Sequence, residues 1–140
     1  MSHISKIEIE IKDLSTLKQA CQRLNLQFLP EQKTYKWYGR WVGDGGPLPE
    51  GITVEDLGKC DHAIRVPHCE YEIGVIKRGR KYLLLWDSWR SGGLAKALGK
   101  NAGLLKQAYA IARVHQEAKL KGYRVREKKI ENGIRLVLSR

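Results

Sequence analysis

The chain has 140 residues, enough for one domain that holds together without disulfides or metal, since at this size roughly two thirds of the unfolded surface is buried on folding. Hydrophobic residues at 42% and charged residues at 29% exclude a disordered chain, and no run reaches the ~18 to 20 uncharged apolar residues of a membrane span. The formal charge of +11 is lopsided: from Arg90 onward 13 Lys or Arg face only Glu117, Glu127 and Glu131, while residues 1–89 are nearly balanced.

Ile7, Ile9 and Ile11 alternate with Lys6, Glu8, Glu10 and Lys12. This predicts a strand with one wet face and leaves no signal-peptide core. Asp13 is the expected N-cap of a short helix whose Leu14, Leu17, Cys21 and Leu24 share one face. Two strands are expected next, Leu26–Leu29 and Thr34–Trp41, the second with Tyr35, Trp37 and Trp41 on one side. Residues 43–58 hold five glycines and two prolines, too many special backbone positions for a regular element, and predict a long flexible loop. Gly43, Gly45 and Gly46 lack the strand-and-helix context of a nucleotide-binding fingerprint.

Cys60–Pro67, Glu70–Lys77 and Arg80–Ser88 read as three successive strands, with the last turn at Arg78-Gly79. Leu83, Leu84 and Leu85 mark a central strand buried on both faces. Ser91, Gly92 and Gly93 then open a helical stretch carrying Leu94, Ala97 and Leu98, which Gly99–Gly103 interrupts. A longer helix follows and ends at Gly122. Tyr123–Lys129 and Ile134–Ser139 flank Asn132-Gly133, a strong hairpin signal.

The expected fold is a single α+β domain over residues 1–140: an antiparallel sheet of about seven or eight strands, with a short N-terminal and a longer C-terminal helix on one face. Strand, helix and paired strands recur at both ends, and Leu17-Lys18-Gln19-Ala20-Cys21 echoes Leu105-Lys106-Gln107-Ala108-Tyr109, as duplicated halves would. The expected core comprises Ile7, Ile9, Leu17, Trp37, Ile64, Ile73, Leu84, Trp86, Tyr109, Ile111, Leu136 and Leu138.

Four groups of residues carry candidate chemistry. Cys60, His62, His68 and Cys69 put four zinc-type donors within ten residues, at a spacing that fits no familiar zinc pattern; a buried Cys60 and a hydrogen-bonded His62 are the plainer reading. The same residues suggest a cysteine nucleophile, without an orienting third group. Asp61, Glu70, Glu72 and Asp87 lie on neighbouring strands as an acid–base set or, more simply, as surface partners of Arg65, Lys77 or Arg80. Ser91, Gly92 and Gly93 stand where a helix start holds phosphate, or serve as an ordinary turn with Ser91 as cap. At the basic end, Arg124, Arg126 and Lys128 alternate along one strand and Arg135 lies on its partner, with Lys106, Arg113, Lys119 and Lys121 on the preceding helix. Such a surface binds phosphate backbones without reading bases, and Tyr38 or Trp89 would stack on unpaired ones.

Several blocks occur in order along the chain: Met1-Ser2-His3-Ile4-Ser5, Asp13-Leu14 with Leu17, Cys60-Asp61-His62-Ala63-Ile64, Tyr71-Glu72-Ile73-Gly74-Val75, Trp86-Asp87, Gln107-Ala108-Tyr109-Ala110 and Asn132-Gly133-Ile134-Arg135-Leu136-Val137-Leu138. In these the chain resembles a conserved reading frame of cyanobacteria and algal plastids and its bacterial relatives, a domain of unknown function. The resemblance implies a small soluble accessory protein and carries over no catalytic residues.

The leading expectation is therefore a non-enzymatic accessory protein binding RNA or DNA through a basic C-terminal face. A protein-interaction subunit or adaptor of a larger assembly, one built around an ATPase included, comes second, and a metal or cysteine enzyme third. No cofactor is expected beyond the zinc reading. Three cysteines at irregular spacing point to a reducing compartment, the cytoplasm, with no membrane attachment.

Overall fold

A computed structural model describes residues 2–41 and 46–140. Among these residues seven strands form two sheets. The larger has the order β1-β5-β4-β3-β2, all antiparallel, built from Ile4–Lys6, Gln27–Leu29, His62–Arg65, Glu72–Arg78 and Lys81–Asp87 as β1 to β5. The smaller is a ribbon of β6, Arg124–Ile130, and β7, Gly133–Ser139. Helices α1, Leu14–Arg23, α2, Leu94–Leu98, and α3, Gly103–Leu120, complete the α+β domain. None of these helices is long and apolar enough to cross a membrane.

The expected strand at Lys6–Lys12 starts earlier and is interrupted. Ile4, Ser5 and Lys6 pair with Asp87, Trp86 and Leu85, and the Ile7 N–H still reaches the Leu84 carbonyl at 3.0 Å. By the Ile11–Tyr82 bridge the pairing has slipped by two residues, so the chain bulges between them. The period-two side chains survive: Ile7 and Ile11 are buried under the helices and Ile9 packs against them.

Leu17, Ala20 and Cys21 of α1 and Leu105, Ala108 and Tyr109 of α3, the two echoing pentads, bury the same kind of stripe against Ile64, Ile73, Leu84 and Trp86 of the sheet. A fully buried Leu or Ile contributes roughly 2 kcal/mol. A polar clasp ties the two helices. Asp13 caps α1 by accepting the Ser15 N–H at 2.9 Å and also accepts the Gln116 amide at 2.9 Å, while Thr16 donates to Gln116 Oε1. α3 ends as expected at Gly122, φ +77°, where Tyr123 N–H returns to the Ala118 carbonyl and Gly122 N–H to that of Lys119.

The opposite face of the sheet is covered without helices. Tyr35, Ile52 and Leu57 are buried there with Ile4, Ala63, Ile76 and Leu85, flanked by Trp37, Trp41 and Leu48. Thr34–Trp41 keeps the expected facing of its aromatics but is no strand; it makes one bridge, Thr34 to Lys59. Part of the expected loop, Gly43 to Gly45, lies outside the described residues, and beyond it a 3-10 turn at Val54–Asp56 brings Ile52 and Leu57 onto the sheet.

Two buried carboxylates hold this layer. β4 and β5 pair from Arg78 and Lys81 only as far as Gly74 and Leu85, and past that point they turn to β3 and β1. Residues 36–38 bridge the parted ends. Glu72 Oε1 accepts the Lys36 N–H at 3.0 Å and the Gln32 amide at 3.1 Å, its Oε2 accepts Arg65 Nε at 3.4 Å, and its own N–H donates to the Lys36 carbonyl. Asp87 Oδ1 accepts the His3 and Trp89 N–H groups at 2.9 and 3.1 Å, and Oδ2 accepts that of Tyr38 at 3.1 Å. The surface role expected for these two acids is thus corrected: Asp87 is fully buried and Glu72 nearly so, because each replaces backbone partners that an irregular segment cannot supply. Arg65 does remain the partner of Glu72.

Asp87→Ala removes the acceptor of three part-buried backbone N–H groups, and a buried group left unsatisfied costs ~1 to 3 kcal/mol. The expected loss is about 3 kcal/mol or more in urea unfolding, with Asp87→Asn retaining part of it. A change below about 0.5 kcal/mol in Asp87→Ala would show that the covering layer is held by apolar contact alone.

Candidate functional site

The basic ribbon grows from its register. Pairing Arg124 with Ser139, Arg126 with Val137 and Lys128 with Arg135 puts Arg124, Arg126, Lys128 and Arg135 on one face, since side chains on a strand alternate and directly paired residues share a side. The other face carries Val125 with Leu138, Glu127 with Leu136 and Lys129 with Ile134, and it packs against α3. Glu131 and Asn132 form the turn, one residue earlier than the Asn-Gly signal suggests.

Glu127 decides which face is which. It is the single acid in β6, and it points inward to a clasp between helices. Its carboxylate takes both guanidinium nitrogens of Arg23 from α1, with Nη1 at 3.0 Å from Oε2 and Nη2 on Oε1, and His115 Nε2 of α3 lies 2.7 Å from Oε2. The Arg23 guanidinium first, then His115, lowers the Glu127 carboxyl to about 2. Sequence reasoning did not find Arg23 or this clasp, although the one acid among the cations of Arg-Val-Arg-Glu-Lys-Lys was its signal. With Glu127 turned inward, no described carboxylate comes within ion-pair reach of Arg124, Arg126, Lys128 or Arg135.

The helix cations do not share that face. Arg113 and Lys121 line a groove between α3 and β7, with Lys121 paired to Glu117 at 3.4 Å, and Lys119 lines a separate groove with Gln19, His115 and Val125. Lys106 lies on α3 and is half-buried. The eight cations expected together therefore divide into the four of the ribbon and four around α3, because the ribbon's inner face rests on the helix and its outer face turns away. Tyr38 sits at the parted ends of β4 and β5 and Trp89 meets His3 edge to face, so neither joins the ribbon face.

The donor set around Cys60 is not assembled. A bend at Asp61 sends Cys60 into the layer under the sheet, where its Sγ donates to the Gln32 carbonyl at 3.1 Å, and burial pushes the thiol up to about 11. His62 lies on the other side, against Phe28, its Nδ1 accepting the Glu31 N–H at 3.0 Å. His68 and Cys69 occupy the turn at the far end of β3. Among the described residues no three His, Cys, Asp or Glu converge as a metal requires, which corrects the zinc reading, and His62, the base expected beside Cys60, lies on the other side of the sheet. Asp61 Oδ2 accepts the Lys77 N–H at 2.7 Å and Glu70 is exposed, so with Glu72 and Asp87 committed to the backbone the acid–base set is dispersed.

Ser91, Gly92 and Gly93 form a tight docking turn. Gly92 is buried under Tyr71, whose ring stands 2.0 Å from where a β-carbon would be, and its carbonyl accepts the Glu70 and Tyr71 N–H groups. Gly93, φ +85°, in place of Ser91, is the N-cap of α2, a helix of only five residues. No family model, curated protein or solved structure matches the chain.

Glu127→Gln removes the charge that joins ribbon, α1 and α3 and, because solvent screens these partly exposed groups, is expected to lower stability by about 0.5 to 1 kcal/mol. A carboxyl held low in the folded state stabilises above its unfolded value, 4.5, and that contribution is lost as pH falls toward about 2. Urea midpoints measured across that range should fall more steeply for the wild-type chain than for Glu127→Gln; parallel slopes would exclude the clasp as a source of stability.

Proposed function

We propose that the chain is a small accessory protein that binds an anionic macromolecule, RNA or DNA, through the outer face of the ribbon and performs no catalysis. The observation that carries this reading is the uncompensated cation row of Arg124, Arg126, Lys128 and Arg135. Like charges directly opposite on paired strands, as at Lys128 and Arg135, oppose the fold by a few tenths of a kcal/mol or more. Folding gains nothing from them, whereas a phosphate backbone relieves their repulsion and releases counterions.

The row has no aromatic member, so the reading is of backbone binding with little sequence preference. Val137 and Ile130 supply partly exposed apolar ground beside the cations. The resemblance to the cyanobacterial and plastid reading frame supports an accessory role. Three free thiols, one of them buried, suit the reducing cytoplasm.

Titrating a twenty-nucleotide RNA into the chain at increasing salt should give a slope of about −3 in log affinity against log salt, as four phosphate contacts at ~0.7 to 0.9 each require. The variant Arg126→Glu, Lys128→Glu, Arg135→Glu should bind at least ~10-fold more weakly at roughly 50 mM salt with an unchanged melting temperature. No wild-type binding at that salt, or undiminished binding by the variant, would overturn the proposal.

A further inference from the structure

The strand edges of the molecule are protected unequally. An open edge presents alternate N–H and C=O groups to any incoming strand, and proteins blunt it by shortness, charge or cover. The larger sheet ends in β1 and β2, three residues each. β6 carries Arg124, Arg126, Lys128 and Lys129 and is fastened to α1 through Glu127. β7 has fewer of these protections, with Arg135 as its one charge. It runs for seven residues, pairs with β6 alone, and reads Ile-Arg-Leu-Val-Leu from Ile134 to Leu138. Leu138 is 47% exposed and Val137 39%.

Beside this edge lies the groove against α3, about 640 Å³, walled by Ala110, Val114, Ala118, Tyr123 and Leu138. Its alanines leave room for larger side chains. Arg113 and Lys121 stand in its wall, and the Arg140 guanidinium lies 4.8 Å from the centre of the Tyr123 ring. Glu117 is the one acid there, and Lys121 is its partner.

We propose that the free edge of β7 takes an extra strand from a partner protein, an extended acidic segment whose alternate apolar side chains fill the α3 groove. The strand period fixes the arrangement. Residues on the side of Ile134, Leu136 and Leu138 enter the groove, and the intervening Asp or Glu side chains come out beside Arg135 and the ribbon cations. Charge selects the occupant. A second copy of β7 would bring its own Arg135 and cation row to a surface already positive, whereas an acidic strand meets opposite charge. The site uses main chain and groove and does not depend on nucleic-acid binding.

The test uses the full chain and a fluorescent eight-residue peptide of alternating valine and glutamate. Saturable binding is expected by anisotropy. A peptide with N-methyl groups on the amides of one edge keeps the charge and blocks pairing, and should bind at least ~10-fold more weakly, since strand addition draws its affinity from main-chain bonds. Ala110→Trp fills the groove from an exposed helix position and should weaken the unmodified peptide similarly, with an unchanged circular dichroism spectrum and melting temperature. Equal binding of methylated and plain peptides would reduce the effect to charge and overturn the proposal. So would a dimer in sedimentation that Ala110→Trp dissociates, because the occupant is then a second copy.

Discussion

The need to satisfy buried backbone groups shapes this fold more than any single apolar contact. One face of the five-stranded sheet is covered by helices, which carry their own hydrogen bonds. The other is covered by a segment with almost no regular structure, whose N–H groups must find partners elsewhere. Glu72 and Asp87 provide them at the point where the central strands part. Burying two carboxylates is costly, yet each accepts three donors, the condition under which a buried charge is tolerated. Gly74 belongs to the same solution, since the Tyr35 ring lies 2.5 Å from where its β-carbon would be.

The ribbon follows a different logic. It shares no ladder with the sheet, and its attachment rests on a short joint at Gly122, an apolar inner face and the Glu127 clasp. The clasp sorts charge. By drawing the acid of β6 inward to Arg23 and His115, it leaves cations as the only charged side chains the two strands place on the outer face. The outer face of the two strands therefore carries no acid to set against its cations.

Much of the architecture was legible because it rests on local patterns. The alternation of Ile7, Ile9 and Ile11, the Asp13 cap, the triple leucine of β5, the Gly122 stop and the facing of Arg124, Arg126 and Lys128 are all periodicities or turn chemistry within a few residues. What escaped depends on long-range placement. Leu138 reads as core from its sequence neighbours but is exposed because, among the described residues, β7 is paired on one side only, and Leu136 is only half-buried. Cys60 and His62 read as one face, and a single bend at Asp61 separated them. Lys106, Arg113 and Lys119 read as companions of the ribbon cations, but helix and ribbon turn their charges in different directions.

The pairing of β1 with β5 has a further consequence for how the chain comes together. His3 meets Asp87 across 84 residues, while the ladder of the ribbon closes from a two-residue turn outward. Loop closure costs chain entropy that grows with the length enclosed, so the first strand of the sheet carries the greatest such cost, while the hairpins of β4 with β5 and of β6 with β7, each closed by a two-residue turn, carry the least. The place of β1 in the sheet thus waits on the strands that follow it.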